Sequence, residues 1–404
     1  MSERRVAVTG LGLVCATGGN VAEFWANAKA AKPGIAKHTF KGGDEFELTL
    51  PTAPVEGFET QLENLGREMT RADRFTQLCV AAADEAVADS GIEFDEKAGA
   101  RTAAIIGTGI GGQTTIEQGY YNMLKHGRRP HPLSILKFIP NAAASHLSIR
   151  YGLRGPAFAI SSACASGAHS IGVAGELIRS GAADIALGGA SEAIMTYGAL
   201  ETWKAMHILA DETCRPFSKN RKGLVIGEGA GVLVLEEMER AKARGAKIYA
   251  ELKGFGMNAD GKDMINPAVK GAAGAMKTAL ETVGEVDPSR VYINAHGTGT
   301  LMNDPTETKA IREVFGAGAD ELIVSSTKSM HGHLLGAAGG VEAIAALKAL
   351  EESVIPPTIN YDEPDPACDL NYCPNEAQTR AIDLAVSNSF AFGGLNAVLA
   401  FTRV

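Results

Sequence analysis

Aromatic residues are scarce in this chain: Phe, Tyr and Trp make up 6% of 404 residues, with two tryptophans. Its core must therefore be filled by small and aliphatic side chains. The 47 glycines, spread along the sequence, and the 45% hydrophobic content allow helices to approach closely. The cysteines, Cys15, Cys79, Cys164, Cys214, Cys368 and Cys373, contain no CxxC pair. That excludes a zinc cage and a disulfide scaffold, and predicts reduced thiols in the cytoplasm. Basic excess is also missing. With 38 Lys+Arg against 47 Asp+Glu the net charge is −9, which argues against nucleic-acid binding. The most apolar stretch, Leu334 to Leu350, contains Glu342 and Lys348, so it is expected as a core helix and no membrane span is predicted. Met1-Ser2-Glu3-Arg4-Arg5 leads straight into a strand too short for the apolar region of a signal peptide.

Short apolar runs alternate with helical stretches. Val6–Val8, Ala103–Ile106, Ala157–Ile160, Asp184–Leu187, Gly231–Glu236, Val291–Asn294, Leu322–Val324 and Leu384–Ser387 read as strands. Phe75–Ser90, Ala165–Ser180, Glu237–Arg244, Gly271–Val283, Pro305–Phe315 and His333–Glu351 read as helices. This is the pattern of an α/β protein with largely parallel or mixed sheets, and its length suits two domains or one duplicated one. A charged helix gives way to a strand, Lys247–Leu252, near Arg244–Ala246, which predicts halves 1–246 and 247–404. Cys164 and His333 are each expected to open an Ala/Gly-rich helix after a polar turn. That quasi-repeat fits a duplicated αβαβα unit, although such helices are common enough for coincidence.

Three segments carry the chemistry. Ser161-Ser162-Ala163-Cys164-Ala165-Ser166-Gly167 places a thiol where an apolar run meets a helix. The helix N-terminus there would favour the thiolate. Asn294-Ala295-His296-Gly297-Thr298-Gly299-Thr300 and Ser326-Thr327-Lys328-Ser329-Met330-His331-Gly332-His333 each put a histidine at the end of an apolar run among glycines. One cysteine with two such histidines suggests nucleophilic acyl transfer. Glu342, alone in an apolar helix, needs a partner, and Lys328 is the natural one; Asp304 and Glu307 are candidates for the same network. Gly107-Thr108-Gly109-Ile110-Gly111-Gly112 fits GxGxxG, but the acidic residue about twenty positions on is absent, so nucleotide binding is rejected. Two basic groups, Arg67/Arg71/Arg74 and Lys125/Arg128/Arg129, are either plain solvated charge or a docking surface for an acidic partner.

Together these segments resemble the elongating β-ketoacyl-acyl carrier protein synthases of fatty-acid and type II polyketide synthesis. The resemblance runs from Val6-Ala7-Val8-Thr9-Gly10-Leu11-Gly12 to Asn388-Ser389-Phe390-Ala391-Phe392-Gly393-Gly394. It implies the five-layered thiolase-like fold with duplicated halves, and a decarboxylative condensation of an acyl-enzyme with a malonyl thioester. It further implies Cys164 as nucleophile and the N–H groups of Cys164 and Phe392 as oxyanion hole, with Phe392 also gating the pocket. His296 and His333 would stabilise the enolate. Ser-Thr-Lys-x-x-x-Gly-His selects His333 over His331, and Lys328 belongs to the same pattern. Thr298 and Thr300 would bind the phosphopantetheine arm, and Ile110 would face the acyl chain. The two basic groups would dock an acyl carrier protein, with no metal or other cofactor and with a homodimer or a chain-length-factor-like heterodimer as the assembly. Three departures stand out: Leu224 in Arg221-Lys222-Gly223-Leu224-Val225 replaces an aromatic, Ala391 replaces a glycine, and Ile265 replaces Thr or Ser. They hint at a specialised pathway. A thiolase or initiating synthase, a non-catalytic partner subunit and a cysteine hydrolase are the rival readings. Each leaves Cys164, Lys328 or His333 unexplained.

Overall fold

Ten of the strands form one mixed sheet in the computed structural model, which describes residues 4–404. The expectation resting on Met1–Glu3 lies outside those residues. In chain order, the first five strands of this sheet are Val6–Cys15, Thr102–Gly107, Ala157–Ile160, Ile185–Glu192 and Gly229–Glu237. The last five are Ala250–Ala259, Val291–Asn294, Ile323–Ser325, Leu384–Ala391 and Leu395–Thr402. Counted from the middle of the sheet outward, each set runs first, fifth, fourth, second, third. Pairing sense repeats as well. In both sets the second strand is parallel to the third and fourth, and the fifth is antiparallel to the first and fourth. The two sets join only through the short pairing of Ala7 and Val8 with Glu251 and Ala250. Shared order and shared sense are what a duplicated unit requires, so the halves are duplicates, although Cys164 and His333 are not the paired positions.

Small residues set the layers. The helix Arg74–Ser90 lies on the outer face of the first set. A Cβ on Gly10 or Gly12 would come within 2.2 Å of the Ala86 carbonyl oxygen or 1.8 Å of that of Ala82. The helix Val269–Glu281 covers the second set in the same way, with Gly254 and Gly256 against the carbonyls of Ala279 and Ala275. Between the sets run two central helices, Ser166–Arg179 and Ala338–Glu352. They meet through reciprocal glycines: Gly167 lies against Gly340 N and Gly339 against Ala168 N. Helix, sheet, helix pair, sheet and helix make five layers, and the glycines explain how a core so poor in aromatics closes.

Several expectations change here. His333 does not open a helix; the helix starts at Ala338, after a 3₁₀ turn at Leu335–Ala337. The strand Ala157–Ile160 is not buried, because it is the outermost strand of its set, and Phe158 is 40% exposed. The strand predicted at Lys247–Leu252 is observed at Ala250–Ala259, and Leu395–Thr402 was not anticipated. Nor were the helices Gln113–His126 and Ala142–Tyr151. The first of these buries none of its residues, and its apolar stripe Ile116, Tyr120, Met123 and Leu124 faces no core.

Candidate active site

The two central helices bring the motifs together. Cys164 sits in a 3₁₀ turn, Ala163–Ala165, just before the helix Ser166–Arg179. Ala163 takes a left-handed backbone (φ 48°), a strained conformation for a non-glycine residue that turns the chain sharply ahead of Cys164. His333 follows Gly332 in the loop before the other central helix. Its Nε2 lies 3.0 Å from Cys164 Sγ. The rings of His296 and His333 meet edge to face at 5.3 Å, and Phe390 closes on His296 at 6.0 Å.

Backbone and lysine together fix both ring tautomers. Leu335 N–H donates to His333 Nδ1 at 3.3 Å. The Lys328 ammonium faces His296 Nδ1 at 3.4 Å. Each Nδ1 therefore accepts, and each neutral ring carries its proton on Nε2. Burial holds both histidines well below their ordinary range, and the Lys328 charge adds to this. Both stay neutral donors at physiological pH. Lys328 is fully buried and ion-paired with the fully buried Glu342. Burial pushes Glu342 up, and the ammonium opposes this.

Asp304 and Glu307 do not join that pair; they hold the His296 loop. Glu307 accepts the N–H groups of His296 and Gly297, each at 2.8 Å, and the Asn388 amide at 3.0 Å. Asp304 accepts from Phe217 N–H at 2.7 Å and Gly299 N–H at 3.2 Å. Burial pushes Asp304 up to about 6. His331 stands apart: its ring bonds Gly332 O at 2.8 Å and Thr327 Oγ1 at 3.0 Å, and it lines no part of the cavity.

The expected thiolate is not found at rest. Burial pushes the Cys164 thiol up to about 12, with Lys328 pulling it down and Glu192 and Glu342 adding to the rise. A fully buried sulfur loses more hydration than the turn returns to it. Among the described residues no acceptor takes the N–H of Phe392, the N–H of Cys164 lies against its own sulfur, and both residues line the same cavity.

That cavity, of about 260 Å³, is lined by the buried Cys164, His296 and His333 together with Thr298, Thr300 and Phe392. Thr298 and Thr300 share a 2.9 Å hydrogen bond. Phe392 stacks on Trp203. Leu224, Ile265 and Ala391, the three departures, all line the cavity. Ala391 ends its strand with no left-handed backbone; Gly393 and Gly394 supply the positive φ values, so the alanine does not strain the loop. His207 is exposed and also lines the cavity.

Not every expected site residue gathers there. Ile110 is 40% exposed and outside the cavity wall, beside the edge strand Ala157–Ile160. Arg67, Arg71, Lys125, Arg128 and Arg129 are exposed. Arg74 is not free: its guanidinium grips Glu228 at 2.7 Å and Val55 O at 2.7 Å. It stands as a structural arginine, yet shares a cleft with Arg128 and Arg129. The GxGxxG loop is filled from within, since Gly109 and Ile110 donate to Glu192 where a phosphate would sit. Glu192 escaped the sequence reading. A lone carboxylate ending the apolar run Ile185–Glu192 was the available signal, as at Glu342.

Cys164 Sγ and a ring nitrogen of each histidine lie within 4.8 Å of one another, a donor set zinc accepts. A metal would need the Nε2 lone pairs, and both tautomers place protons there. Lys328 also repels a cation. The set suits an anion.

Three comparisons with known proteins agree with this geometry. The family models described as Beta-ketoacyl synthase, N-terminal domain, and Beta-ketoacyl synthase, C-terminal domain, match residues 3–241 and 249–362. Nodulation protein E of Rhizobium sp. (strain N33) is 44% identical over 100% of both chains. The 3-oxoacyl-[acyl-carrier-protein] synthase 2 of Staphylococcus aureus (strain COL) is 42% identical over 99% of this chain and 98% of its own. Among solved structures, the ishigamide ketosynthase/chain length factor superposes with a TM-score of 0.92 at 34% identity over 100% of both chains.

Proposed function

The chain belongs to the β-ketoacyl synthase family of condensing acyltransferases, and from that premise we propose that its reaction is divided between its two halves, residues 1–246 and 247–404. The first half supplies the acyl acceptor. Cys164 sulfur attacks an acyl thioester, its proton passes to the departing pantetheine sulfur, and an acyl-enzyme remains. The N–H groups of Cys164 and Phe392, residues that both line the cavity, stabilise the tetrahedral oxyanion. The second half supplies the decarboxylation site. A malonyl thioester loses CO2, and its electron pair becomes an enolate held by the two Nε2–H donors. The enolate carbon attacks the acyl-enzyme carbonyl, the Cys164 sulfur–carbon bond breaks with the new carbon–carbon bond in place, and the released thiolate takes a proton from solvent to return to the resting thiol.

The observation that carries this reading is the pair of neutral histidines whose Nδ1 atoms are both occupied, one ring 3.0 Å from the thiol. Lys328 and Glu342 hold that arrangement. Thr298 and Thr300 guide the pantetheine arm along the cavity. Substrates arrive on a carrier protein, as the name of the Staphylococcus aureus relative says of that enzyme. Arg67, Arg71, Lys125, Arg128 and Arg129 dock it. A second protomer, identical or of the chain-length-factor kind, pairs along the edge strand Ala157–Ile160, where Phe158 and Ile110 are exposed. No resident metal or cofactor enters the steps. Among the described residues no helix is long and apolar enough to cross a membrane, and the six unpaired cysteines suit a reducing cytoplasm. Leu224 and Ile265 on the cavity wall favour a specialised polyketide or polyene substrate over a housekeeping one.

Incubation with acyl-carrier proteins of graded length and unsaturation, followed by intact-protein mass spectrometry, tests the reading. The expected result is one acyl adduct, absent from Cys164→Ala. A full adduct on that variant would contradict it.

A further inference from the structure

Glu192 belongs to no step above, yet it is fully buried and sits between the two turns that carry the chemistry. Its Oε2 accepts Gly109 N–H at 2.5 Å and Gly336 N–H at 3.1 Å. Its Oε1 accepts the Thr108 hydroxyl at 3.0 Å and Ile110 N–H at 3.3 Å. Gly109 and Gly336 come from different halves. The Thr108–Gly109 loop also holds the nucleophile turn: its carbonyls accept Ser166 Oγ at 3.3 Å and Ser161 Oγ at 3.0 Å. Gly336 adjoins Leu335, whose N–H fixes the His333 tautomer. No larger residue fits at Gly336, since a Cβ there would lie 2.6 Å from Glu192 Oε2.

We infer that Glu192 is a positioning residue: its carboxylate clamps the nucleophile turn of one half to the Leu335–Gly336 turn of the other, and so keeps His333 as the Nε2–H donor facing Cys164. All four partners donate, so only an acceptor-only carboxylate satisfies them. An amide would aim N–H at N–H. This inference rests on the assignment of enolate stabilisation to His333.

The test compares Glu192→Gln and Glu192→Asp with the parent and with His333→Ala. Acyl loading of Cys164, CO2 release from a malonyl thioester, and ring 15N shifts, which report imidazole tautomers, are each measured. Glu192→Gln should lose about ten-fold or more in CO2 release, lose less in loading, and show the His333 ring no longer confined to the Nε2–H form; Glu192→Asp should recover part of both. Parent-like CO2 release and an unchanged tautomer in Glu192→Gln would overturn the clamp. If His333→Ala also releases CO2 at the parent rate, it is the assignment to His333 that fails. Should Glu192→Gln not fold, Thr108→Val, which removes one donor only, should shift CO2 release and tautomer in the same direction; no shift in either overturns the clamp.

Discussion

The two halves share a frame and differ in what they hang on it. Sheet register makes the correspondence residue by residue. Gly107 pairs with Ile160 and Ala190, and Asn294 pairs with Ser325 and Ser387. Gly109 of the first half therefore stands where His296 stands in the second, and Glu192 where Ser389 stands. Each central helix is entered through a left-handed residue and a 3₁₀ turn, Ala163 with Ala163–Ala165 and Leu335 with Leu335–Ala337. Cys164 thus corresponds to Gly336, not to His333. The extra chain at 326–334 in the second half is what carries Lys328, His331 and His333. Both halves pin the equivalent loop with a buried carboxylate, but from different elements: Glu192 ends a strand, while Glu307 lies on the helix Asn303–Phe315. Duplication supplies two facing turns across a pseudo-twofold axis. In the function proposed here, divergence makes one the nucleophile turn and the other the donor pair.

That contrast predicts how the halves fail. The largest effect belongs to the donors. Losing either His296 or His333 to alanine should lower CO2 release by about 10²–10³, the cost of an oxyanion-hole donor, with acyl loading less affected. His331→Ala should be mild in both assays, because its ring is spent on Gly332 and Thr327. Equal losses at His331 and His333 would erase the distinction. Next comes the ion pair under the donors. Glu342→Ala strands the Lys328 ammonium in a dry site, and such losses cost about 3–5 kcal/mol. A melting temperature equal to the parent's would count against the pair.

A smaller effect sharpens the comparison of the carboxylates. Burial pushes Glu192 up to about 6, above the ordinary carboxylate range, so its contribution to stability is fully present below about 4.3 and is lost as pH rises to about 6. Relative to Glu192→Gln, the parent should lose about 2 kcal/mol between pH 4 and 7. Parallel stability–pH curves would deny this titration. The smallest effect lies outside both turns. Arg128→Glu with Arg129→Glu should raise KM for an acyl-carrier protein and leave a small thioester mimic nearly unchanged, with the parent KM rising with salt. Equal losses with both substrates would make those arginines structural.

The sequence was legible where chemistry is local. Cys164, His296, His333 and the Lys328–Glu342 pairing stand out because polar groups interrupt apolar runs; the structure puts the first three on one cavity and the ion pair behind His296. The strands Ala157–Ile160 and Val291–Asn294 appear with the bounds expected. What stayed hidden depends on distant chain. The edge position of Ala157–Ile160 is set by sheet order, and the upward shift of Cys164 by total burial. Arg74 looked free until Glu228, far along the chain, was seen against it. The true repeat partner of Cys164 is a glycine, which carries no side chain for a motif to show.

The central claim is that nucleophile and decarboxylation site are separable because they belong to different halves. Cys164→Gln tests it most directly, since the amide stands in for an acylated cysteine. The variant should take no acyl adduct and still release CO2 from a malonyl thioester through His296 and His333. A folded Cys164→Gln protein that releases no CO2 would contradict the division.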